Sequence, residues 1–213
     1  STFFFIYFLT LWLLWETPVV YPIKIFVVFL HEISHGLMAL ATGGQVDQIT
    51  IDRNEGGACY CPGGNRFLTL TAGYLGSLAW GVSLAVATRY ERIDSRHLTL
   101  LLSGILIVIT MAYVKNTFGI LFGIVFGLIL LFIAIEFSRS QNQKIQLILG
   151  LTSCLYSILD IKGDILDHPT LPSDAAMLND LTGIPVVFWG LLWILIAIYT
   201  CIKLIAWLHK TSN

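Results

Sequence analysis

The chain has 213 residues, of which 56% are hydrophobic and 12% charged, and its mean hydropathy of +0.81 lies far to the apolar side of a soluble domain. A formal net charge of −1 without a long basic run excludes the electrostatic footprint of a nucleic-acid binder and leaves the lipid bilayer and membrane proteins as partners. The apolar runs are continuous rather than alternating, which excludes a transmembrane β-barrel and predicts an all-α, multi-pass integral membrane protein.

Taking about 20 apolar residues per span, candidate helices fall near 3–15, 19–42, 68–88, 97–114, 118–137, 145–166 and 185–208. That makes six or seven transmembrane helices in a single domain, 1–213, because the first segment is short. The opening STFFFIYFLTLWLLW has no positively charged stretch before its apolar run, so it reads as a membrane segment rather than a secretory signal. Pro18 and Pro22 punctuate the junction with the second segment, where proline opens a helix without losing a needed hydrogen bond.

Residues 45–67 are not a simple linker. Val46, Ile49 and Ile51 are separated by polar residues and followed by Gly56-Gly57 and Pro62-Gly63-Gly64, which predicts a short β-hairpin. Such a segment lies at membrane depth only when packed against protein or lining a wet cavity, so it is a candidate wall of a site. Cys59 and Cys61, one residue apart, lack the usual zinc-knuckle gap, and with Cys154 and Cys201 are read as structural.

The stretch FVVFLHEISHGLMAL, 26–40, places two histidines and a glutamate inside a membrane helix. His31 and His35 are four residues apart and so share a helix face, able to hold one ion. Glu32 lies about 100° further round, where it can take a proton from metal-activated water and return it to a leaving amine. Ionisable groups at mid-bilayer are costly and mark function. A catalytic zinc has three protein ligands and an open position; the third is sought in CLYSILDIKGDILDH, where Asp160, Asp164 and Asp167 form an acidic stripe if the helix continues past Gly163. Measured from Val19, His31 and His35 lie ~18 and ~24 Å along their helix, and Asp160 and Asp164 lie ~22 and ~28 Å along the parallel one from Ile145. Asp160 is therefore the expected third ligand, with Asp164 the alternative.

With LHEISHG, AGYLGS and LDIKGD, and PSDA at 172–175 in support, the chain resembles the site-2 protease class of intramembrane zinc metallopeptidases, in its compact peptidase M50B-like branch. The resemblance covers most of the chain. It implies one Zn2+ per chain held by His31, His35 and Asp160, Glu32 as catalytic acid/base, 45–67 as a membrane-embedded loop that guides an unwound substrate, and a transmembrane protein segment as that substrate. Where the wider family has Gly-Pro-x-x-Asn, this chain reads Gly73-Tyr74-Leu75-Gly76-Ser77. The missing asparagine leaves Tyr74 or Ser77 to bind substrate. Leu159-Asp160-Ile161 likewise lacks the family's glycine. No PDZ-like or nucleotide-binding domain lies within these residues, which leaves substrate selection to the membrane core or to a regulatory membrane partner.

Two rival functions stand beside this one. A non-proteolytic membrane module would keep the metal for structure or assembly. A metal transporter fits less well, because no chain of polar residues crosses the membrane.

Three further features give expectations. Arg89, Arg92, Arg96, Arg139, Lys144, Lys203 and Lys210 outnumber Arg53, Arg66, Lys115 and Lys162, which puts the first set in the cytoplasm, whereas the resemblance puts the loop there. Gly73, Gly76 and Gly81 read as close-packing positions. Trp12, Trp15, Trp189, Trp193 and Trp207 read mostly as interfacial anchors.

Overall fold

A computed structural model describes residues 2–15, 17–90, 92–167 and 173–210. After α1 (Thr2–Leu13), the described residues hold six helices long and apolar enough to cross a membrane: α2 (Tyr21–Ala41), α3 (Arg66–Ala87), α4 (Ser95–Tyr113), α5 (Thr117–Glu136), α6 (Arg139–Ile161) and α8 (Val186–Lys210). A hairpin of β1 (Gln48–Ile51) and β2 (Gly57–Tyr60) joins α2 to α3, and a short α7 (Asp174–Thr182) precedes α8. At 1.5 Å per residue the six long helices each match a hydrocarbon core of about 30 Å. The protein is a multi-pass integral membrane protein.

The helix starts follow local chemistry. Asn65 accepts a hydrogen bond from Leu68 N–H at the head of α3, Asp94 accepts from Arg96 N–H before α4, and Ser138 with Gln141 forms a capping box before α6. That box starts α6 six residues before the hydropathy rises at Ile145. The amide NH2 groups of these early polar turns are bonded inside the bundle: Gln146 donates to Ser95 O at 2.6 Å and Asn142 to Ile133 O at 3.1 Å.

α2 is the centre of the bundle, with 72% of its span buried, whereas α5 and α8, at 28% and 22%, give most of their surface to lipid. It packs on α5 through Phe26 against Phe126 and Phe29 against Phe122, with ring centroids 5.2 and 5.9 Å apart. α3 meets α6 backbone to backbone: a Cβ on Gly81 would lie 2.7 Å from Gly150 O, and one on Gly150 would lie 2.6 Å from Gly81 O. Only glycine on both helices permits that approach.

The hairpin pairs Gln48 with Tyr60 and Ile51 with Gly57 in antiparallel register. Ile49 and Ile51 point into the core, as their alternation predicts. Asn116, at the head of α5, donates to Ile51 O and accepts from Ile51 N–H. The turn at 52–56 is fixed on two more sides, because Tyr21 donates to Arg53 O at 2.8 Å and the buried Lys24 pairs with Glu55 at 3.2 Å. Glu55 holds a φ of +64°, uncommon for a side-chain-bearing residue.

This ion pair is unequal, with Lys24 4% and Glu55 31% exposed at the side chain. Lys24→Met leaves a carboxylate that water still reaches and is expected to cost at most about 1 kcal/mol, whereas Glu55→Leu strands a buried ammonium and is expected to cost about 3 kcal/mol. Thermal unfolding of the two variants in detergent checks the order.

Candidate functional site

α2 carries His31, Glu32 and His35 into the interior, and these three offer ligand atoms that all lie within 4.8 Å of one another. The carboxylate that meets the histidines comes from Asp174, whose Oδ2 lies 3.1 Å from His31 Nε2 and 3.2 Å from His35 Nε2. Asp174 is the first residue of α7, whose start is set by Ser173 accepting from Ala176 N–H at 3.2 Å. Its end is set by Gly183 at φ +74°. Ala175 and Leu178, both fully buried, hold α7 in the core that also contains Tyr74 and Trp193.

This placement differs from the expected one. Asp160 lines the same cavity as the histidines, but the carboxylate seated between their Nε2 atoms is that of Asp174. The reason is depth: α6 begins at Arg139 and not near Ile145, which moves Asp160 about 9 Å further along its helix axis. α7 then brings a different acid back into the site. The backbone beyond Ile161 continues as a π-helical segment, Lys162–Asp167, and the side chains of Asp164 and Asp167 lie outside those described.

Each imidazole is held by a different neighbour. His35 Nδ1 lies 2.7 Å from Thr69 O, so this nitrogen carries the proton and, in the neutral ring, Nε2 turns a lone pair towards the Asp174 oxygen. Two acceptors facing each other at 3.2 Å call for a cation between them, either a proton or a metal. The His31 ring stands edge-on to Tyr74, with centroids 4.8 Å apart at 87°, and Tyr74 rests on Trp193 at 5.0 Å. Burial pushes the Asp174 carboxyl up, but attraction and hydrogen bonds from the two histidines outweigh it and hold the group below the ordinary carboxylate range.

The spacing suits a metal. Bonds of about 2.0–2.1 Å at a tetrahedral angle separate two ligand atoms by about 3.3 Å, close to the 3.1 and 3.2 Å observed. Gly73 supplies the room, since a Cβ there would overlap both Nε2 atoms. Glu32, 4% exposed, is hydrogen-bonded to the backbone of Cys59, and a Cβ on Gly57 would lie 2.6 Å from its Oε1. The glutamate therefore lies directly under strand β2.

All four groups open on a cavity of about 760 Å³ walled by α2, the hairpin, the head of α3, Asp160 and the start of α7. Tyr74 is on this wall. Ser77, the other residue expected to bind substrate, is 1% exposed and bonded to Ser157 Oγ and Tyr74 O, so it joins α3 to α6 instead. Trp189 and Trp193 are 7% and 1% exposed and form the core behind Tyr74, not interfacial anchors; Trp12, at 63%, is exposed as an anchor requires. Cys59 and Cys61 form a disulfide in β2 and just beyond it.

A helical membrane bundle with a buried His-Glu-x-x-His helix and an opposed carboxylate defines the class of membrane metallopeptidases. The family model described as Peptidase M50B-like matches residues 4–204, and the chain belongs to that family. Comparison with curated proteins and with solved structures returns no match.

Proposed function

We propose that the chain is a zinc-dependent intramembrane endopeptidase that cuts a transmembrane segment of another protein. The observation that carries this reading is the convergence of His31 Nε2, His35 Nε2 and Asp174 Oδ2 beside the Glu32 carboxylate. His31, His35 and Asp174 would hold the metal, one per chain. Two imidazoles and a carboxylate suit zinc, as well as iron, cobalt or nickel; a hydrolytic site that needs no redox change favours zinc. Bound there, zinc supplies a Lewis acid that polarises a carbonyl and makes water acidic near neutral pH.

The chain's own residues do the rest. Glu32 accepts the proton of the attacking water and delivers it to the leaving nitrogen, while the Cys59 backbone fixes its carboxylate. Thr69 O sets the tautomer of His35, leaving Nε2 free to ligate. A helical substrate hides each carbonyl in its own hydrogen-bond ladder, so it must unwind first. The cavity of about 760 Å³ beside the hairpin is where the unwound stretch would lie.

Glu32→Gln tests the reading. The variant is expected to keep one zinc while its cleavage of a panel of single-span membrane segments in detergent falls by at least about 100-fold. Cleavage at the wild-type rate by the purified variant would remove Glu32 from the chemistry.

A further inference from the structure

We infer that the Cys59–Cys61 bridge is a thiol–disulfide exchange site that a low-molecular-weight thiol of the glutathione type reduces, and that its state sets the placement of Glu32. The consequence for cleavage rests on the peptidase reading; the exchange itself does not.

The bridge is poorly suited to be a staple. It spans one intervening residue, and so short a loop takes little freedom from the open chain. The hairpin is held without it. Lys115 N–H donates to Ile49 O at 3.1 Å, Asn116 bonds both backbone groups of Ile51, and Tyr21 and Lys24 hold the turn.

Its position suits exchange instead. Both cysteines are half-buried on the wall of the catalytic cavity, so a small thiol that enters the cavity meets them. Disulfides within reach of solvent are the labile ones. A thiolate attacks one sulfur of the pair, the S–S bond breaks, and the other sulfur leaves as thiolate. A second thiol then displaces the first from the mixed disulfide. The two incoming thiols give up their protons and two electrons and become one external disulfide, and Cys59 and Cys61 become thiols.

Glu32 is tied to this pair through the backbone. Its carboxylate is hydrogen-bonded to the Cys59 backbone, and the Cys59 sulfur lies 3.7 Å from where a Cβ on Gly36 would stand, one residue beyond His35. β1 is fixed between β2 and the residues at Val114–Lys115, whereas β2 is an edge strand among the described residues. The ladder is also irregular beside the bridge. Between the Gln48–Tyr60 pair and the Gly44–Gly63 contact, three residues on one side oppose Cys61 and Pro62 on the other. The Cα atoms of Cys59 and Cys61 stand 5.6 Å apart, against about 6.6 Å for two steps of regular strand. Opening the bridge lets this stretch lengthen by about 1 Å at the point that holds the Glu32 carboxylate, and a displacement of that size is costly to a catalytic group. The metal ligands lie on α2 and α7 and make no such bond to β2. Cys59 is thus a positioning residue whose loss of the bridge spares metal binding.

The test uses the detergent-purified chain carrying Cys154→Ser and Cys201→Ser, equilibrated in glutathione buffers from fully oxidised to fully reduced. Thiols are trapped with a maleimide mass tag. Two tags per chain are expected to appear as the buffer becomes reducing and to vanish on reoxidation, and amide hydrogen exchange over residues 57–61 is expected to be faster in the reduced form. Cleavage of single-span membrane segments should fall at least about 10-fold on reduction, with zinc content unchanged, and return on reoxidation. The same chain with Cys59→Ser and Cys61→Ser should show the lower rate in both buffers. A pair that stays untagged in fully reduced buffer would overturn the exchange site. Equal amide exchange or equal cleavage in the two forms would overturn its hold on Glu32. Tagging and amide exchange need no activity, so a Glu32→Gln chain that still cleaves would remove the peptidase reading and leave the exchange site standing.

Discussion

Asp174→Ala is expected to come through purification without zinc, while Asp160→Ala keeps about one ion per chain. Removing a residue that merely supports a ligand typically costs 10- to 100-fold in affinity, and removing a ligand costs more. Asp174 Oδ2 is the oxygen that faces both Nε2 atoms, so its loss leaves two imidazoles and a site open on two sides. Asp160 lines the cavity wall, and the carboxylate that faces both Nε2 atoms is not its own, so its loss is expected to leave the metal content unchanged. Elemental analysis of the detergent-purified proteins, with a chelator titration, separates the two. Zinc lost from the Asp160 variant alone would return the third ligand to α6.

Gly73→Ala is expected to yield a stable but metal-free protein. Alanine is the better helix former by about 1 kcal/mol at an interior position, so α3 itself gains. The added methyl group, however, occupies the space shared by His31 Nε2 and His35 Nε2. One or both rings must turn, and His35 is held at its other nitrogen by Thr69 O, so it turns only by breaking that bond. Gly104→Ala on α4 is the control, since a Cβ there meets nothing within 4 Å. The expected pattern is zinc lost from the first variant and kept by the second, with Gly73→Ala still folded and compared for thermal unfolding with zinc-stripped wild type, since loss of a bound ion itself lowers the unfolding temperature. A Gly73→Ala protein that retains zinc would show that the rings do not converge as described.

Parts of this site could be read directly from residue order, because they depend on spacing alone. His31 and His35 share a helix face whatever the rest of the chain does, and the run from Val46 to Gly64 carries its hairpin in alternation and turn glycines. What depended on where helices begin could not be read in the same way. The buried amides of Asn142 and Gln146 lie in a polar first stretch of α6 that hydropathy passes over, so the depth reckoned for Asp160 started six residues late. Asp174 lies outside every long apolar run, and its one trace was the helix-start pattern Ser173-Asp174-Ala175. Which side of a helix a tryptophan faces is likewise a tertiary property: Trp189 and Trp193 sit near a helix end, as anchors do, yet turn inward against Tyr74. The contact of Gly57 with Glu32 left no trace beyond the presence of a glycine.

The ligand set joins parts of the chain that are far apart in order, with His31 and Asp174 separated by 143 residues. An ion held between them acts as a removable crosslink, and the longer the loop a crosslink closes, the more freedom it takes from the open state. The long helices are fixed by their own packing, so the freedom in question belongs chiefly to α7, nine residues held by a small apolar face. Stripping the metal should therefore release a flap over the cavity while the bundle stays intact. The same ion that equips the site for chemistry would also decide whether its door is shut.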